Sequence, residues 1–485
     1  MNVHRRPFLL FLACAMAWLP PAARAQGIRG DVRLNWGWMQ LQPFAPDSVP
    51  EADVSGSGLQ RQLANGTVVT CIDGDFCRWY EDNGIRQDIM PFTQDLRFAG
   101  WTGVQGLSFH GQMRTRLGSD DLWPRTDQEF DLLTGYVSFN RSAFQVKAGR
   151  MYRASGLGYY NFDGASAVWR GLGWMWLEGY AGWSLARGVN APRNGSLYQE
   201  SDLLATDRRS YLFGGELGFR GGKVFSGSAT YQRELRTDRL ALYSERAAVD
   251  LRALVGGWAF DGGASYDFAY DEINDARIRV TTPQVLGIKF AAQARRYAPF
   301  FDYWTIWSAF SPVGFAEGRL SGTWTSRAIP LLVEAGGAYR KYEETDAGPA
   351  TTTVVRRDGW RGFGRVYWSP AKWYVDARYR AEDGFGGSRY GGDLVFGRYL
   401  AAGSASYLAL RGTATETLYE FREGERYVIG GAVEGSYDIT GANLTLDATL
   451  GFYQIEDKNR PLADTWTEGR ASVGLRWRFN TGGTR

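Results

Sequence analysis

Histidine and cysteine are scarce in this 485-residue chain: two of the first and three of the second. His4 and Cys14 fall within the first 25 residues, which leaves His110, Cys71 and Cys77 for the rest of the chain. Chemistry that needs a histidine cluster is therefore excluded, and no Walker loop, zinc motif or haem-attachment cysteine pair occurs, so no cofactor is expected. Lysine is also rare, at six against 49 arginines, and proline numbers only 16. Beyond the first 25 residues no run of 18 apolar residues exists, so no transmembrane helix is expected. The mean hydropathy of −0.33 agrees, being too polar for a helical membrane protein. Net charge is missing too. The first 25 residues hold Arg5, Arg6 and Arg24 and no acid; of 55 basic and 52 acidic residues, 52 of each remain. A neutral chain gives no bulk-charge argument for nucleic-acid binding.

The N-terminus has the form of an export signal. Arg5 and Arg6 form a basic start, Phe8 to Leu19 a short apolar core, and Ala23-Arg24-Ala25 a small-x-small cleavage site. Residues 1–25 are thus expected to be removed, leaving Gln26 first. Leu12, where a lipoprotein signal has a small residue, argues against Cys14 as an acylation site. In an exported chain the remaining pair, Cys71 and Cys77, is expected to form a disulfide. The Asp73-Gly74-Asp75 turn between them has too few acidic groups for a calcium loop.

What the chain has in quantity is glycine, at 62, aromatic residues, at 15%, and alternation. Leu444, Leu446, Ala448, Leu450 and Phe452 alternate with Thr445, Asp447, Thr449, Gly451 and Tyr453. Before them, Tyr427, Ile429, Val433, Tyr437 and Ile439 stand opposite Glu434, Ser436 and Asp438. Leu107, Phe109, Met113 and Leu117 alternate with Ser108, His110, Gln112, Arg114 and Arg116. Trp373, Val375, Ala377 and Tyr379 alternate with Tyr374, Asp376, Arg378 and Arg380. Strand side chains switch faces at every residue, so each segment has one apolar and one charged face. A soluble β-sandwich alternates as well. Here, however, charges recur along the polar faces as on an aqueous wall, and Trp and Tyr mark segment ends as in interfacial girdles. Short connections such as Asn140-Arg141-Ser142, Gly171-Leu172-Gly173, Gly256-Gly257 and Thr440-Gly441 also alternate with long polar ones. The pattern predicts an all-β transmembrane antiparallel barrel of about 22 strands, within a range of 18 to 24, with both ends on one side. Segments 272–283 and 384–400 alternate most weakly. With strands ~4.8 Å apart and tilted ~40°, such a barrel is roughly 40 Å wide. Barrels of that size often hold a plug domain. None is expected here, because alternation starts at Val32, Leu34, Trp36 and Trp38.

The last alternating segment, Ala471-Ser472-Val473-Gly474-Leu475-Arg476-Trp477-Arg478-Phe479, resembles the closing strand of Gram-negative outer-membrane proteins. The resemblance implies a porin-like protein in the outer membrane, surrounded by lipid and inserted by the barrel assembly machinery. The chain departs from that pattern in continuing from Asn480 to Arg485.

Long external loops are expected at about 44–92, 187–209, 297–315 and 343–355. The third is the most unusual: Tyr297, Phe300, Phe301, Tyr303, Trp304, Trp307 and Phe310 crowd into it, too apolar for free solvent. It would cap the lumen, cover the rim or dock a partner. Residues 149–170 are similar to the porin segment that bends from a strand top into the pore, with Arg150, Arg153 and Arg170 near Asp163; a rim hairpin with an ordinary ion pair is the other reading. Pore-lining candidates are these four residues with His110, Arg114, Arg116, Asp376, Arg378, Glu434, Asp447 and Arg476. A lone histidine in the wall reads as a hydrogen-bonding group, so no enzyme is expected. Two functions fit. One is passive diffusion of small polar solutes, weakly ion-selective because the chain is neutral, with aromatics favouring sugars or aromatic solutes. The other is a sheath around a lumenal or docked protein such as a multihaem cytochrome. For the cysteines, intact mass after alkylation without reductant should show no added label; two labels would mean free thiols.

Overall fold

The computed structural model describes residues 27–41, 44–58, 60–64, 68–71, 76–82, 87–117, 130–185, 210–237, 240–298, 314–326, 328–343, 358–384, 387–400, 406–419, 424–439, 442–457 and 465–481. The wall starts with β1 (Gly27–Leu41). Short strands follow: β2 (Phe44–Pro50), β3 (Gln60–Gln62), β4 (Val68–Cys71), β5 (Phe76–Asp82) and β6 (Gln87–Ile89). The chain then runs up and down through β7 (Phe92–Trp101), β8 (Leu107–Leu117), β9 (Phe130–Asn140), β10 (Phe144–Ser155), β11 (Gly158–Leu172), β12 (Met175–Ser184), β13 (Ser210–Gly221) and β14 (Phe225–Arg236). It continues through β15 (Leu242–Val255), β16 (Trp258–Asp267), β17 (Glu272–Thr281), β18 (Ile288–Tyr297), β19 (Phe315–Thr325), β20 (Leu331–Tyr342) and β21 (Asp358–Trp368). The last six are β22 (Trp373–Gly384), β23 (Gly387–Tyr399), β24 (Tyr407–Tyr419), β25 (Gly424–Ile439), β26 (Leu444–Asp457) and β27 (Thr465–Asn480).

These strands form one 23-stranded sheet closed on itself, and β2 to β5 form a separate four-stranded sheet. Three-residue β6 only prolongs the line of β7 beside β1, which leaves 22 strands in the wall. Every neighbour is antiparallel. The ring closes where β27 pairs with β1, from Arg29↔Asn480 to Met39↔Arg470, while β1 pairs on its other side with β7. The two weakly alternating segments are strands β17 and β23.

Cross-strand partners share a face, so the registers sort the side chains. Thr449 opposes Glu434 and Ser472, and Thr445 opposes Arg476. One side of the wall therefore carries the charged set. The other carries Leu446, Leu450, Phe452, Val433 and Val473, all exposed. The charged side is the interior, because contacts that skip over intervening strands, such as Arg153 on β10 with Glu216 on β13, lie on it. Exposed tryptophans Trp169, Trp258, Trp324, Trp368, Trp373 and Trp477 ring the outside at the short-turn end, and Trp183, Tyr211, Tyr339 and Trp360 stand nearer the other end. Two aromatic belts around an apolar band are what a lipid-facing surface requires.

The stretch expected as one long loop at 44–92 carries the small sheet. Cys71 and Cys77 are cross-strand partners in it and are joined by a disulfide, buried with Val69 against Val49, Val54 and Leu63. Tyr297 and Phe315 root the aromatic loop, with ring centroids 5.4 Å apart. Phe300, Phe301, Tyr303, Trp304, Trp307 and Phe310 lie outside the described residues, as do residues 187–209 and most of 343–355. The registers sharpen one expectation. Leu450, at the middle of β26, should lie nearer the bilayer midplane than Leu446, two residues from its short-turn end. Leu450→Arg should destabilise the barrel by about 2–4 kcal/mol, Leu446→Arg by about 0–1 kcal/mol, and the inward Thr449→Arg by less than Leu450→Arg. Reversible unfolding in lipid vesicles measures all three; equal costs at Leu450 and Thr449 would refute the face assignment.

Candidate functional site

A 22-stranded ring encloses more space than wall side chains can fill, so what occupies the lumen decides what the barrel can do. The β10–β11 hairpin is the element that enters it. β10 pairs with β9 only as far as Arg150, and β11 pairs with β12 only from Phe162 onward. Residues 151–160 therefore pair only within the hairpin and leave the wall, while the Asn161 carbonyl still accepts from Leu185 N at 2.9 Å. The departure point is Gly149, at φ 130°, where a Cβ would stand 2.8 Å from Tyr136 Cα. Only glycine takes this backbone conformation without strain.

Beyond the bend, one face of the hairpin lies on the inner wall. Met151 and Phe162 are buried with Tyr180 of β12 and Leu212 of β13, and Tyr136 packs against them. At the tip, Leu157 and Tyr160 are buried with Ala248 of β15. The Arg246 guanidinium donates to the Leu157 carbonyl at 3.4 Å and lies 5.4 Å over the Tyr160 ring. A Cβ on Gly156 would stand 2.9 Å from that of Ala248. β15 is four strands round the ring from β11, and Ala248 is at its middle. A tip that would otherwise stand at the long-loop end thus reaches halfway down the lumen.

Arg153 is the polar anchor of this arrangement. Its side chain is 7% exposed, lies 4.4 Å over the Tyr180 ring, and pairs with Glu178 at 2.7 Å and with Glu216. The Tyr180 hydroxyl continues the network, donating to Gln232 Oε1 at 3.1 Å, and Ser210 donates to Glu234 at 2.8 Å. On the other face of the hairpin Tyr152 and Tyr159 stack at 5.2 Å.

The expected group of Arg150, Arg153 and Arg170 around Asp163 is split up. Arg150 grips Asp163 with two bonds, 2.7 and 3.0 Å, on the hairpin face away from Met151 and Phe162. Arg153 turns to β12 and β13, and Arg170 sits at the short-turn end, donating to Gln145 at 3.1 Å. Elsewhere on the interior, Arg114 holds Asp95 at 2.7 Å and Arg116 pairs with Asp131. His110 stacks on Tyr136 at 4.8 Å, with the Ser108 hydroxyl 3.1 Å from Nε2. Among the described residues no carboxylate hydrogen-bonds that imidazole. Asp447 and Arg476 lie on the same interior face, opposite Gly474 and Thr445.

Asp376 and Glu434 belong to a pattern that the sequence did not reveal. Arg365 and Arg378 both bind Asp376, Arg411 binds Glu434, and Arg340 and Arg361 both bind Glu317. The carboxylate is the deeper partner. Asp376 is 7% exposed against 44% for Arg378, and Glu317 is 3% exposed against 34% for Arg361. Arg365, Arg411, Arg340 and Arg361 all occupy interior positions of the same alternation, but which of them share an acid depends on register.

No family model and no curated protein matches the chain. Solved structures do align. The outer membrane protein opdK from Pseudomonas aeruginosa aligns at 11% identity and TM-score 0.42, over 94% of this chain and 98% of that one. OccAB1 from Acinetobacter baumannii aligns at 10% and 0.40, over 95% and 99%. The P pilus usher translocation pore, PapC, aligns at 10% and 0.43, over 94% and all of it. At such scores the barrel rests on this chain's own strand pairing.

If Arg153 pins the hairpin, Arg153→Ala leaves Glu178 and Glu216 facing each other at a half-buried site, a local cost of up to about 3 kcal/mol. The wall's hydrogen bonds are untouched, so the barrel should stay folded while single-channel current becomes larger and noisier. Unchanged current in a folded variant would show that the anchor lies elsewhere.

Proposed function

We propose that this chain is an outer-membrane channel for passive diffusion of small polar solutes, narrowed by its own β10–β11 hairpin. The observation that carries this reading is the hairpin's course: residues 151–160 lie across β12 to β15 at mid-height and constrict a charged interior. A closed ring with an apolar belt supports a membrane location, since lipid cannot satisfy an open strand edge. Pore-lining roles go to His110, Arg114, Arg116, Asp376, Arg378, Glu434, Asp447 and Arg476 on the interior wall, and to Arg153 as the hairpin's anchor. No catalytic role is assigned: His110 has a hydroxyl and a ring as neighbours, and among the described residues no carboxylate orients it as in a nucleophilic triad.

Neutral composition led to an expectation of weak ion selectivity. The burial of Asp376 and Glu317 beneath their arginines changes that expectation, because in these pairs the group nearer the water is guanidinium. The channel should prefer anions. The sheath reading is weaker, because the seated hairpin takes up space that a lumenal protein such as a multihaem cytochrome would need. The aromatic loop around Trp304 and Trp307 belongs to this proposal as a further cover at the long-loop end.

The deciding experiment is a planar bilayer with the purified protein alone. Stable single-channel steps are expected, with a zero-current potential displaced toward the anion side in a salt gradient. A silent bilayer would refute the channel, and conductance of purely cationic preference would refute the guanidinium lining.

A further inference from the structure

Below the hairpin tip, toward the short-turn end, the interior wall holds a cleft of about 670 Å³. This lies within the ~300–1,000 Å³ common for small-molecule sites. Asp250 is at its upper edge, next to Gly156 of the tip. Arg220 and Arg279 line it from β13 and β17; Asp261 stands opposite Arg279 in the register, but neither arginine forms an ion pair among the described residues. The acids present are already engaged: Asp250 with Arg277 at 3.0 Å, and Asp261 loosely with Arg252 at 3.5 Å. Trp176 forms one side. Its indole lies against Gly218, where any Cβ would collide with the ring, so the opposite face is left to the cleft. Ser226, Ser228 and Gln293 add hydroxyl and amide groups.

We propose that this cleft binds an acidic sugar, a hydroxylated ring carrying a carboxylate or phosphate. The proposal deepens the channel reading, which supplies the route of access. Each part of the ligand answers a different part of the wall. Two guanidiniums that form no ion pair call for an oxyanion, which either can hold through charge-assisted hydrogen bonds. A flat indole face receives the apolar face of a sugar ring, a use that an inorganic anion would not make of it. The hydroxyls, the amide and the spare lone pairs of Asp250 and Asp261 match a ring with several hydroxyls. A neutral sugar leaves Arg220 and Arg279 unanswered, and a hydrocarbon chain would leave the guanidiniums, hydroxyls and amide of the cleft without hydrogen-bond partners.

The test uses the full-length protein and four probes: glucuronate, glucose 6-phosphate, glucose and acetate. Binding is followed by calorimetry in detergent, and channel block by adding each probe to one side of a bilayer. Glucuronate, glucose 6-phosphate or both should bind, with glucose and acetate at least about tenfold weaker. The difference between the two acidic sugars identifies the oxyanion. Block should be stronger from the short-turn side. The double variant Arg220→Gln with Arg279→Gln should reduce the acidic sugar to the affinity of glucose, and Trp176→Ala should reduce it toward that of acetate. Because these side chains face water, both variants should still form channels, which verifies folding. Equal binding of acetate and glucuronate would overturn the sugar assignment, and equal binding of glucose would overturn the anion assignment. Open channels with no binding of any probe would overturn the site and leave the channel standing. Binding without conductance would do the reverse.

Discussion

In hydrocarbon a backbone N–H or C=O has no water to turn to, so a strand can cross a membrane only with a partner on each side. The β27–β1 pairing satisfies that constraint for the whole ring. Without it, two edges of more than ten residues would stand open to lipid. Closure also fixes which face of every strand is which. Leu450 lies outside and Thr449 inside because β26 is held in register between β25 and β27, and that register follows from neighbour to neighbour round the ring.

Closing 22 strands creates a second problem, an interior wider than side chains can bridge. The solution is local. At Gly149 the wall releases one hairpin, and the energy for laying it inward comes from two sources. Apolar contact of Met151 and Phe162 with Tyr180 and Leu212 removes hydrophobic surface from water. Arg153 satisfies two glutamates that would otherwise repel each other on neighbouring strands. A buried ion pair of this kind is weak as a source of net stability but strong as a determinant of position, since any other seating of the hairpin leaves a buried charge without its partner. Constriction geometry is thus set by a polar contact and held in place by an apolar one.

The strands could be read from sequence because period-two alternation is local: each segment states its own faces, and short glycine turns separate one segment from the next. Even the faintly patterned segments around 278 and 394 are strands, because their neighbours on both sides require partners. The course of residues 149–170 was only half legible. The two readings are an inward bend and a rim hairpin with an ordinary ion pair; the hairpin runs inward from Gly149 rather than staying at the rim, and it keeps an Arg150–Asp163 pair on its outer face. Contacts such as Arg153 with Glu216, 63 residues apart, could not be anticipated, since they depend on how far the hairpin tip travels. The cleft was equally hidden: Trp176, Arg220 and Arg279 come from three strands, and only ring order brings them together. Cys71 and Cys77 lie at the other extreme, their pairing implied by count and export alone.

The preference for arginine over lysine, 49 to six, fits this interior. An ammonium is a point charge that is largely spent on one carboxylate. A guanidinium is a planar fork with five donors, so it can hold an acid with one edge and keep another turned to the water. Arg378 over Asp376 and Arg361 over Glu317 use this geometry, with the acid at the wall and the cation above it. A chain with balanced charges can then present a basic surface, because balance is a property of the sum and the lumen meets only the outer layer. In those two pairs the small exposure of the acid, rather than any excess of base, leaves a guanidinium as the group nearer the water. It follows that the sign of a pore wall is set by which member of each ion pair lies deeper, a matter of side-chain length and register that composition does not record.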